Sequence, residues 1–106
     1  MIKCEIYRTW ETMDEKGFCT GESIEAMADS IESLDMESLV GKLKLMYSLD
    51  FINSWEVFED RIECARESRM VGGVMALEML SFYISEIKMV PVDPGIALEF
   101  IKGRLK

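Results

Sequence analysis

The amino-acid sequence predicts an all-α fold, a single compact bundle of five to six short helices around a central apolar helix at residues 74–90. Three observations carry that expectation. Apolar side chains recur at intervals of three and four in most segments, as on one face of a helix. Asp35 and the pair Asp93-Pro94 are helix-start signals. Residues 74–90 form an almost unbroken apolar run of helical length that Pro91 closes.

Taken in chain order, the first segment reads two ways. Ile2, Ile6, Trp10 and Met13 have helical spacing with Gly17 as the residue beyond the helix end, whereas Ile2, Cys4 and Ile6 alternate as in a strand and residues 13–18 resemble a hairpin turn. The helix is the favoured reading. Next, Ile24, Met27, Ile31 and Leu34 are matched two residues earlier by Glu22, Glu25, Asp29 and Glu32. Two residues are about 200° on a helix, so the two stripes fall on opposite sides of one amphipathic element.

Asp35 then caps a helix whose stripe is Met36, Leu39, Val40, Leu43 and Met46. Another is expected from Asn53, with Glu56 closing a capping box, Ile52 and Val57 as a staple, and Trp55, Phe58, Ile62 and Ala65 as the buried face. Gly72-Gly73 interrupts the chain before the 74–90 run, where Glu78, Ser81, Ser85 and Lys88 form a narrow polar stripe. The last helix starts at Asp93-Pro94, packs through Ile96, Phe100 and Ile101, and ends on Lys102, Arg104 and Lys106, charges that suit a helix C-terminus.

The 106 residues make one domain, 1–106, and an apolar share of 49% against a charged share of 30% is that of a folded chain. No secretion leader is expected, and the apolar stretch 71–90 is too polar to span a bilayer as a helix, so no membrane association is expected. Three cysteines without a C-x-x-C pair, and no histidine, argue against a disulfide framework or a standard zinc site, and with no EF-hand loop or di-iron motif no metal site is expected. Free buried thiols in a reducing compartment, and so a cytoplasmic location, are expected.

The net charge of −8 is concentrated: residues 1–41 carry ten acids and three bases, and residues 42–106 carry ten acids and nine bases. Such a chain repels nucleic-acid phosphates and attracts basic protein surfaces. With no histidine and no nucleotide, calcium or di-iron motif, neither an enzyme nor a cofactor is expected.

The leading expectation is an acidic interaction protein that binds or inhibits a larger protein with a basic surface. Its contact residues are Tyr7, Glu11, Asp14, Glu15, Glu22, Glu25, Asp29 and Glu32. On a helix, carboxylates three or four residues apart stand about 4.5 to 6 Å apart along the axis, near the phosphate spacing of a nucleic acid, so an inhibitor of the nucleic-acid-mimicking, phage-encoded kind is one form of this reading. The plainer alternative is a solvated face that serves solubility. A second expectation is a small-ligand binder, with Arg66, Arg69 and Gly73 holding an anionic nucleotide or metabolite at a helix N-terminus. Against it, Arg66 can pair with Glu63 while the glycines merely permit a turn. Finally, a helix as apolar as 74–90 needs cover from several sides. A homodimer or small oligomer through residues 42–106 is therefore expected, with Met75, Met79, Phe82, Tyr83 or Met89 in the contact.

Overall fold

The computed structural model describes residues 1–49, 52 and 54–105, the side chains of residues 69 and 71 excepted. The all-α bundle is not what forms. The described residues make six antiparallel strands and two helices, in the order β1 (Ile2–Met13), β2 (Cys19–Ser33), α1 (Met36–Met46), β3 (Ser54–Val57), β4 (Ile62–Val71), β5 (Val74–Glu86), β6 (Val90–Pro91) and α2 (Pro94–Arg104). The strands lie side by side as β2-β1-β5-β4-β3, and β6 pairs with the end of β5. The central apolar element is therefore a strand flanked by β1 and β4, followed by a short 3-10 turn at Ile87–Met89.

Strand alternation sorts these residues better than helical spacing does. Along β1, Ile2, Cys4 and Ile6 are buried and the residues between them are half exposed. Along β5, Ala76, Glu78, Leu80, Phe82 and Ile84 are buried in the same alternation. The register places Ile6 beside Phe82 and Phe82 beside Ile62, so these side chains share one face. Against that face pack Leu39, Val40 and Leu43 of α1, Tyr47 just beyond it, and Ala97, Leu98 and Ile101 of α2. Each fully buried large apolar side chain there contributes roughly 1.5 to 3 kcal/mol relative to exposure.

The turns explain how the segments fold back. In the β1–β2 hairpin the Asp14 carboxylate accepts the N–H groups of Lys16 and Phe18 at 2.9 and 3.0 Å. Between β4 and β5, Gly72 and Gly73 have φ of 57° and 84°, the left-handed pair that a two-residue hairpin requires. The glycines do not lead into a helix. Both helices start where the capping signals predict, with Asp35 accepting Ser38 N–H at 2.8 Å and Asp93 accepting Ile96 N–H at 3.1 Å. In α2, Ala97, Leu98 and Ile101 are buried while Ile96 is exposed, which corrects part of its expected packing face. Asn53, the expected start of a third helix, and Lys106 lie outside the described residues. No helix among the described residues is long and apolar enough to cross a membrane.

Candidate functional site: the open face of the sheet

Both helices cover one side of the sheet, and among the described residues no layer packs on the other. Alternation fixes its composition. From β1 it takes Lys3, Glu5, Tyr7, Thr9 and Glu11, and from β5 it takes Leu77, Met79, Ser81, Tyr83 and Ser85. Across the strands, Met27, Tyr7, Ser81, Glu63 and Glu56 make one row, and Glu25, Thr9, Met79 and Ala65 make the next.

Among the described residues, strand pairing places the carboxylates of Glu5, Glu11, Glu25, Glu32, Glu56 and Glu63 on this face, and the bases beside them, Lys3 and Arg61, are already engaged. Lys3 lies 3.4 Å from Glu5, and Arg61 lies 2.7 Å from Glu63 and 2.8 Å from Asp60. Glu25, Glu32 and Glu56 have no ion-pair partner among the described residues. At the centre Tyr7 and Tyr83 meet edge to face, with centroids 5.4 Å apart and planes at 82°. Burial and then the negative charge of Asp60, Glu25 and Glu63 raise the Tyr83 hydroxyl above its usual range, against a lowering by Arg61. It therefore stays protonated and able to donate. A shallow depression of about 280 Å³ runs beside it, lined by Thr9, Glu11, Glu25, Glu63 and Ser81 among others.

Of the residues expected to meet a partner, this face brings together Tyr7, Glu11, Glu25 and Glu32. Asp14 and Glu15 are in the hairpin turn, where Asp14 holds the backbone instead. Glu22 falls on the helix side of β2 by alternation with Ser23 and Ile24, beyond the helices themselves. Asp29 is half buried on that side and accepts the Tyr47 hydroxyl. The single acidic helix stripe is thus replaced by two strand faces, because a β-bulge at Ala28, between Met27 and Asp29, shifts the alternation. The helical spacing behind the phosphate comparison goes with it. Glu5, Glu63 and Tyr83 complete the face. They come from separate segments, and only the strand register shows that they meet.

The expected anion site is taken apart. Gly73 is in the β4–β5 turn, so no helix N-terminus stands there. Arg66 lies 3.2 Å from Glu78, a carboxylate only 3% exposed, which Arg8 approaches at 3.4 Å from β1. Arg66 is therefore paired across the sheet rather than with Glu63. The side chain of Arg69 lies outside the described residues. Among the described residues no cluster of three His, Cys, Asp or Glu side chains has metal-holding geometry.

Of the expected dimer contacts, Phe82 is in the core while Met79 and Tyr83 lie on the open face. Comparison with protein-family models, with curated proteins and with solved structures gives no match to any of them.

Proposed function

We propose that the protein is a non-catalytic interaction module whose open sheet face binds a larger protein through a basic surface. The observation that supports this reading is the composition of that face. An antiparallel sheet can leave one side to water, but a side serving only solubility has no need of a tyrosine pair with methionines at its centre. Tyr7, Tyr83, Met27 and Met79 supply the large or adaptable contacts found at interface centres. Glu11, Glu25 and Glu32 supply charge that a lysine- or arginine-rich surface would neutralise.

Affinity capture from the native host's lysate tests it. The wild type is compared with a Glu11→Gln, Glu25→Gln, Glu32→Gln variant whose circular dichroism and unfolding midpoint are unchanged. A basic protein held by the wild type and lost by the variant is the expected result. An identical set of captured proteins would remove the carboxylates of the open face, and with them the basic partner, from the mechanism.

A further inference from the structure

The two ends of the sheet differ. At one, β3 is only four residues long; at the other, β2 runs for fifteen with β1 on one side and, among the described residues, no strand on the other. Every second residue of an edge strand turns its N–H and C=O away from the sheet, and a long uncovered edge is a template for another strand. A side chain closes one end of this edge: Lys42 of α1 donates to the Glu32 carbonyl at 2.7 Å. Further back, from Ser23 to Ala28, no side chain among the described residues hydrogen-bonds the main chain, and residues 23–27 are exposed. From Met27 back to Ser23, β2 pairs with β1 in unbroken register.

We infer that the β2 edge from Ser23 to Ala28 docks an extended basic segment of a partner protein, which adds to the sheet as a further strand. For the sign of the partner's charge the inference rests on the reading above; for the mode it rests on the free main chain. Residues 17–41 contain acids and no lysine or arginine, and opposite charges facing one another across strands are favourable where like charges are not. A second copy of this edge would set acid against acid, so the occupant is not another copy of the chain. Alternation sets the segment's pattern. Glu25 faces the open side, so the neighbouring partner residue is a lysine or arginine. Ile24, 69% exposed, faces the opposite side with Ala26, beside a depression of about 270 Å³ that Arg8 and Trp10 also line. There the partner places an apolar side chain. In such additions main-chain hydrogen bonds give affinity and alternate side chains give specificity.

The test uses the intact protein and a short capped peptide of alternating lysine and valine, beside the same peptide N-methylated at every residue. The second keeps the charge and loses every main-chain donor. The parent peptide is expected to bind and to slow amide exchange within residues 23–28 by about tenfold or more, and the methylated one to bind at least about tenfold more weakly. Equal binding of the two, with chemical-shift changes centred on Tyr7, Tyr83 and Glu63, would overturn edge addition while supporting the open face. Absence of binding by the parent peptide at millimolar concentration also overturns it, independently of the lysate capture. Equal protection by a glutamate-valine peptide would overturn the basic character of the segment.

Discussion

Two of the three cysteines are closed to chemistry, and the third is restrained. Burial pushes the Cys4 and Cys64 thiols up to about 12, so neither forms appreciable thiolate near neutrality. Cys19 is exposed at the start of β2, and a hydrogen bond to Glu11, with smaller effects of burial and the charges of Glu11 and Asp14, raises its thiol as well. A chromogenic disulfide reagent should therefore modify Cys19 alone in the native protein, and Glu11→Gln should speed that reaction by lowering the thiol toward its ordinary value. Equal rates for all three thiols would contradict the burial. Backbone strain is equally local. Lys88 and Met89 in the turn after β5 have φ of 62° and 63°, a region that costs a residue with a Cβ roughly 1 to 2 kcal/mol. Glycine removes that cost but loses more backbone entropy on folding, by roughly 0.5 to 1 kcal/mol. Lys88→Gly should thus raise stability in urea by about 0.5 kcal/mol, and a lower midpoint than wild type would count against left-handed strain there.

Strand and helix assign different partners to the same residues, and β5 shows it best. Phe82 lies in the core and Tyr83 on the open face, although on a helix they would be neighbours about 100° apart. Phe82→Ala should cost about 3 to 5 kcal/mol in chemical unfolding, and Tyr83→Ala less than about 1 kcal/mol; comparable losses would argue against the strand register. Helix α1 makes a pH prediction. The Ser38 backbone N–H holds the Asp35 carboxyl below its ordinary value. A carboxyl lower in the folded than in the unfolded chain stabilises above its unfolded value of 3.8, and that contribution disappears as pH falls through the folded one. Asp35→Asn, which keeps a capping oxygen, should flatten the decline in thermal midpoint below pH about 4, and a slope equal to wild type would separate Asp35 from acid sensitivity. The two helices were legible because capping is local chemistry, carried by Asp35, Asp93 and Pro94. The sheet was not. Helix-favouring Met, Leu, Ala and Glu fill β5, both of whose faces are largely apolar, and the Ala28 bulge makes Ile24, Met27 and Ile31 mimic helical intervals. Strand pairing joins distant segments, so the open face became readable only with its register.

At the scale of the whole molecule, the physical reason for an oligomer changes with the fold. A nearly all-apolar helix would have lacked cover, but as β5 the same residues have β1 and β4 on either side and α1 and α2 over their buried face. What stays exposed on the opposite side is lined with carboxylates, and the free edge of β2 is acidic from Glu22 to Glu32. Two copies meeting through either surface would bring like charges together in a chain of net charge −8, which opposes contact most at low ionic strength, where the screening length is roughly 30 Å at 0.01 M and 10 Å at 0.1 M. Exposed Met70, Val74 and Met75 at the β4–β5 hairpin offer only a small apolar patch, short of what a stable interface buries. The mass by light scattering after size exclusion should therefore be that of a monomer at tens of micromolar in both low and moderate salt. A basic partner reverses the sign of the same electrostatics. Its complex should form fastest at low salt and weaken as salt is raised, because steering and charge pairing are screened together. A dimeric mass that grows with salt would instead show that screening exposes a self-complementary contact.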